Sequence, residues 1–322
     1  QNLTNKEALF NEVKGSLFEY LMALRISRLA KNELEFLESL DKNYLNVLSQ
    51  QDRMVRQFYP DMLLFLAQVS EVSATELVKY LGGIPTKSVL RGKFETQSEA
   101  DLILITSTGE VPLSLKLNKK NSYVNTKSGG IKSFFTHYFS FLNSQIQSDF
   151  NQTVDQEFSR MAHELYALND MEFPGNFLAW VAKGKSELPG ELLPNERAVL
   201  KAFYARIATR MHEILSTAQV SHPQDFSNAL PALMGFSNPQ ILQLVCFHDF
   251  KSGGAASVAI HAFSEVQESL NSVTILPFNQ TSSVELNLGD WALQIRVKPM
   301  NKFTTTAIKI NCSVKFKPSV GV

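Results

Sequence analysis

The stretch Ser98-Glu-Ala-Asp-Leu-Ile-Leu-Ile-Thr-Ser-Thr-Gly-Glu-Val-Pro-Leu-Ser-Leu-Lys-Leu-Asn118 decides how the rest of the chain is read. It has the pattern of a β-hairpin. Thr108-Gly109 suits a two-residue turn, because glycine takes positive φ without steric cost. With that loop, Ile103 is expected opposite Ser114, and Asp101 opposite Lys116. Side chains alternate across a strand. Leu102, Leu104, Val111, Leu113, Leu115 and Leu117 therefore share one face, wholly apolar and destined for burial. Asp101, Ser114 and Lys116 share the other. A carboxylate, a hydroxyl and an ammonium beside a buried sheet face have the makings of a site.

Composition sets wide bounds. The chain has 322 residues, 44% of them hydrophobic, and no net charge. That length allows one large domain or two smaller ones. Bulk charge names no partner, but its distribution is uneven. Lys116, Lys119, Lys120, Lys127 and Lys132 fall between Val111 and Ser148 without an acid. Arg296, Lys298, Lys302, Lys309, Lys315 and Lys317 follow Trp291, again without one. A neutral protein with two basic segments can hold a polyanion in one cleft. Cys246 and Cys312 lie far apart, without metal-ligand spacing, and imply a reducing compartment. No apolar run reaches membrane-spanning length, and no signal-like segment opens the chain. The expectation is a cytoplasmic protein with no membrane partner.

Upstream of the hairpin the pattern is helical. Leu9, Val13, Leu17, Leu21 and Leu24 repeat at helical spacing over 5–31. Gly15 inside that helix costs roughly 1 kcal/mol relative to alanine, which tight packing would explain. Glu19 projects near the edge of the apolar stripe, where a solvated charge is the simplest use. Further helices are expected over 33–48, 52–58 and 61–69. Ser73-Ala-Thr-Glu76 resembles a capping box leading into 77–81. Downstream, 117–130 reads as a polar cationic loop. Ser128-Gly129-Gly130 at the start of an expected helix over 131–147 offers backbone N–H groups that suit a phosphate, or simply a flexible turn. Helices are expected over 154–168 and 195–218. The apolar run 240–247 has no decisive period, and 248–254 reads as a turn or hinge. The C-terminus changes to period two over 283–288, 291–297 and 307–316. Pairing across 299–306 gives a sheet with one apolar and one basic, amide-bearing face. Lysine and arginine there could bind phosphates, and arginine and asparagine could read bases. The expected organisation is a catalytic core with N-terminal helices over 1–150, a mainly helical region over 151–280 and a basic β element over 281–322, with one continuous domain as the alternative.

Asp101 can bind a divalent metal and Lys116 can position or deprotonate a water, which together support hydrolysis of a phosphodiester. The hard oxygen donors favour Mg²⁺. One carboxylate makes a poor site, so a second acid is needed: Glu19, Glu99 or Glu110. The same Asp101 and Lys116 could instead form a plain cross-strand ion pair.

Asp101 followed by Ser114-Leu-Lys116 on the next strand resembles the PD-(D/E)XK nuclease motif. Lys14-Gly-Ser-Leu-Phe-Glu19-Tyr-Leu resembles the N-terminal helix that gives such nucleases an extra acid. The resemblance covers about residues 10 to 142 and is strongest to type II restriction endonucleases. Ala100 stands where the family has proline, and Ser114 where it has an acid. The resemblance implies an α/β fold: a mixed central sheet flanked by helices, restriction-endonuclease-like, with a helical insertion and a C-terminal β element. It also implies Mg²⁺-dependent cleavage of double-stranded DNA by a homodimer. Asp101 would be the metal ligand and Lys116 the catalytic lysine, with Ser114 in the motif. Glu19 would be the recruited acid, and the Leu115 carbonyl a further ligand. Lys119, Lys120, Lys127, Lys132, Arg296, Lys298, Lys309 and Asn311 would face DNA. A repair or recombination nuclease of the same fold, and a non-catalytic DNA-binding protein on a decayed nuclease scaffold, are the alternatives. None of the six histidines has metal-site spacing, and only His137 is expected near DNA. Neither cysteine carries a nucleophile signature, and no Gly-x-Ser-x-Gly is present.

Overall fold

The protein is described by a computed structural model. The structure describes residues 3–90, 99–249 and 253–317. Ser98, at the start of the hairpin stretch, and residues 250–252 of the expected hinge lie outside them. In chain order the elements are α1 (Leu3–Leu29), α2 (Glu33–Glu38), α3 (Lys42–Phe58), α4 (Pro60–Leu81), β1 (Lys87–Leu90), β2 (Leu102–Thr106), β3 (Gly109–Lys119) and β4 (Val124–Gly130). There follow α5 (Phe134–Tyr138), α6 (Ser144–Ala167), α7 (Leu178–Ala182), α8 (Pro194–Ser221) and α9 (Pro223–Leu233). The chain ends with β5 (Leu242–Asp249), β6 (Gly254–Ala262), α10 (Phe263–Ser269), β7 (Val273–Ile275), β8 (Ser283–Leu288), β9 (Trp291–Val297) and β10 (Lys309–Phe316). This is a mixed α and β protein, as its sequence pattern leads one to expect. No described helix is long and apolar enough to cross a membrane.

The chain divides into two compact units, and the division does not follow the three sequence blocks. The first unit joins Gln1–Ser122 to Phe236–Val266, and the second joins Tyr123–Gly235 to Gln267–Val322. The 150/151 boundary falls inside α6, and the 280/281 boundary falls between β7 and β8, which pair with one another. The block 151–280, read as mainly helical, also contains β5, β6 and β7.

In the first unit a five-stranded sheet has the order β1-β2-β3-β5-β6. β1, β2 and β3 form an antiparallel meander. β5 then pairs parallel to β3, with Leu113 beside Leu242 and Lys119 beside His248. The untyped apolar run 240–247 is thus an interior strand, flanked on its other edge by β6. The apolar face of the hairpin is buried as its alternation demands: Leu102, Leu104 and Leu113 are fully buried and Leu115 nearly so. They share one core with Leu244 and Cys246 and with α1 and α4, through Phe18, Met22, Leu66 and Val69. Helix α4 is one continuous element, not the two pieces expected. Asp52–Phe58 likewise belongs to α3. A Cβ at Gly15 would meet nothing within 4 Å, so packing does not explain that glycine.

In the second unit another five-stranded sheet has the order β4-β10-β9-β8-β7. Its apolar face carries Leu286, Ile295, Ile310 and Cys312, all fully buried. Ser128-Gly129-Gly130 is not a loop before a long helix. It is the end of β4, paired with Lys309–Asn311 of β10. The expected helix over 131–147 is interrupted: α5 ends at Tyr138, and α6 starts at Ser144 behind an Asn143 side chain that caps Gln145 N–H at 2.9 Å.

Candidate active site

The hairpin turns one step earlier than glycine placement suggested. Thr106 pairs with Gly109 and Ile103 with Pro112, so Ser107 and Thr108 form the loop. Gly109 takes φ 125° as the first residue after the turn. This matches a type I turn followed by a glycine rather than a turn with glycine inside. The slip is two residues, so the faces keep their identity but the partners change. Continuing the register puts Asp101 opposite Ser114, not Lys116, and the Asp101 N–H donates to the Leu113 carbonyl at 2.8 Å.

The ends of β2 and β3 explain what Asp101 does. β2 starts at Leu102, whereas β3 runs on to Lys119. The Leu115 N–H therefore has no strand partner on that edge, and Asp101 Oδ2 accepts it at 2.7 Å. The carboxylate is held rigidly by the backbone of the residue before Lys116. Burial pushes the Asp101 carboxyl above the usual carboxylate range; the Leu115 N–H and the Lys116 charge oppose that shift. Asp101 and Lys116 thus act on one another electrostatically. In a strand the N–H and C=O of one residue point the same way. The Leu115 carbonyl accordingly lies on the Asp101 side.

The parallel partner adds two groups that sequence reading missed. Ser114 pairs with Gln243 of β5, and Gln243 with His261 of β6. Asp101, Ser114, Gln243 and His261 thus form one polar rung across four strands. Ser114, Gln243 and His261 are all buried. His261 Nδ1 lies 2.8 Å from Glu265 Oε2 on α10. A row of buried polar groups on a sheet is costly unless each is satisfied or used. The sequence signal was the single polar residue in Ile241-Leu-Gln243-Leu-Val.

Glu19 is not brought to Asp101. It lies on α1, in the helix layer over the apolar face, while Asp101, Ser114 and Lys116 alternate to the other face. Its carboxylate acts on Tyr44 of α3, whose phenol is pushed up first by burial and then by Glu19 and Tyr20. Glu99 accepts the Ser237 N–H at 3.2 Å. Glu110 sits beside the turn, opposite Ile105. Among the described residues no three histidine, cysteine, aspartate or glutamate side chains converge on one point. Among the described residues the candidate donors for a cation at this point are Asp101 and the Leu115 carbonyl. Magnesium keeps several waters and commonly binds through one or two carboxylates plus substrate phosphates, so this set fits it only with phosphate present.

The expected DNA-facing residues separate. Lys119 and Lys120 close β3 in the first unit, both exposed. Lys127 lies on β4 opposite Cys312. Lys132 pairs with Asp155 at 2.7 Å, a surface ion pair that uses its charge locally. Lys298 and Lys309 are exposed. Arg296 and Asn311 are cross-strand neighbours on the second sheet, in a rung that continues to Ser128 and Ser283. This face is not an open solvated one. Asn311 is 8% and Ser313 3% exposed, and Arg296 Nε and Asn311 Oδ1 are buried without hydrogen bonds. Nor is it free of acid: Glu285 of β8 accepts from Gln294 Nε2 at 3.2 Å. His137 lies on α5 against the Tyr138 ring.

No family model matches the chain, and neither a curated protein nor a solved structure matches it.

Proposed function

We propose that the chain is a Mg²⁺-dependent endonuclease that hydrolyses phosphodiester bonds in duplex DNA, of the type II restriction class, acting as a homodimer on a two-fold symmetric site. The observation that carries this reading is the Asp101 carboxylate fixed by the Leu115 N–H beside Lys116, at the end of β3 where β2 has stopped. The fold suits it: a mixed sheet with an antiparallel meander, a parallel fourth strand and helices on the apolar face. Bound magnesium would supply positive charge at the scissile phosphate. Asp101 and the Leu115 carbonyl would hold it, and the Lys116 ammonium would orient a water or stabilise the phosphate. Ser114 and Gln243 would line the floor. Arg296, which is partly exposed, carries donor chemistry for base edges.

Cleavage of supercoiled plasmid in Mg²⁺ tests this. Lys116→Met should lower the rate by about 10²–10⁴, the usual contribution of a positioned acid–base group. Glu19→Gln should leave it within about twofold, because Glu19 serves Tyr44. A Lys116→Met protein that cuts like wild type would refute the assignment.

A second reading is favoured by the lack of a cluster of three metal-ligating side chains among the described residues: a DNA-binding protein on the same scaffold that does not cut. Tight duplex binding with no cleavage of any DNA by the unaltered protein would select it.

A further inference from the structure

A second cluster lies on the other face of the first sheet, where β3 and β5 end. His248 is paired with Lys119 in the parallel register, so their side chains leave the sheet together, on the helix side. His248 is 3% exposed. Among the described residues neither of its ring nitrogens has a hydrogen-bond partner. Its ring meets the edge of Phe65 from α4, 4.9 Å between centroids. From α1, Lys14 acts electrostatically on both His248 and Lys119, and its Nζ lies 5.7 Å from the Phe10 ring centre on its own helix. The charged groups acting on His248 are Lys14 from α1, Lys119 from β3 and Asp249 from its own strand; α4 presents Phe65. Burial and the two ammonium groups hold its pKa at about 4, against the pull of Asp249. Lys14 is itself depressed, by burial and then by Lys119.

Each of these groups is poorly served by the protein alone. Two lysines repel one another, and a buried imidazole has no acceptor for its N–H. An oxyanion set among them corrects all three at once. Its charge neutralises the ammonium pair, and its oxygens accept from both lysines and the imidazole. Donors from three separate elements suit a group with several acceptor oxygens. We infer that Lys14, Lys119 and His248 form a phosphate-binding site at the ends of β3 and β5. The site needs neither Asp101 nor Lys116, so it stands or falls apart from the hydrolase reading.

The test is a titration of inorganic phosphate into the full chain at constant ionic strength, following the His248 imidazole by NMR. Saturating phosphate should raise the His248 titration midpoint by about one pH unit, a tenfold change in proton affinity. Lys119→Met, at an exposed position, should weaken phosphate binding about tenfold through loss of one charge-assisted hydrogen bond. Lys14→Met should do the same. A DNA duplex that moves the same resonance and displaces phosphate identifies a phosphodiester as the source. A shift with inorganic phosphate only identifies the free anion. A His248 resonance that ignores both, or moves equally with chloride, overturns the site, as does unchanged affinity in folded Lys119→Met protein.

Discussion

The two sheets are built alike and equipped differently. Each has five strands in the described structure, one apolar face under helices, and a polar rung across the other face. In the first sheet the rung is Asp101, Ser114, Gln243 and His261, with Lys116 further along β3. In the second it is Ser128, Asn311, Arg296 and Ser283. The first rung holds groups that can carry or move a proton. The second holds a guanidinium, an amide and hydroxyls, which keep their protonation state through the physiological range. Under the proposed function the first would serve the reaction and the second recognition. The difference lies in those side chains and in the parallel β3–β5 pairing, which the antiparallel second sheet lacks.

This contrast predicts where acid should act. His248 of the first sheet has a folded pKa of about 4, against about 6.5 unfolded. Between those values the unfolded chain binds the extra proton and the folded chain does not, so stability must fall as pH falls from about 6.5 to 4. The full loss is on the order of 3 kcal/mol. Asp101 works in the opposite sense, because its raised pKa makes the folded state take up a proton first as pH drops. Urea midpoints across that window should decline in the unaltered protein and flatten in His248→Asn. A slope unchanged by the substitution would remove the first sheet's claim to the acid response.

Recognition is broken at Arg296. Arg296→Ala should cost about 1–3 kcal/mol of duplex affinity, the worth of one good base or phosphate contact. The bound duplex should still be cut. Loss of cutting with full binding would mean that the two sheets do not divide the work in this way.

Much of this was legible in the sequence, and the parts that were not share a cause. Alternation in 102–117 located the buried face correctly, because period two is a local property. The register was missed by two residues because Gly109 serves after the turn instead of within it. The run that forms β5 has no decisive period and β4 reads as a polar loop: each pairs with a strand more than 100 residues away, and short runs cannot reveal such pairing. The same distance hid Gln243 and His261, which belong to the Asp101 rung only through the β3–β5–β6 pairing. Glu19 was drawn to Asp101 by resemblance of its helix. The sheet lies between them, and Tyr44 takes that carboxylate's influence.

Asp101→Asn tests the central claim most directly. Asparagine keeps an oxygen for the Leu115 N–H, removes the negative charge and turns the other oxygen into an NH₂ donor. Single-turnover cleavage and duplex binding should be measured on the same DNA in Mg²⁺. The variant should melt like the unaltered protein, bind the duplex, and cut at least about a hundredfold more slowly. Cleavage at the original rate by a folded Asp101→Asn protein would contradict the account.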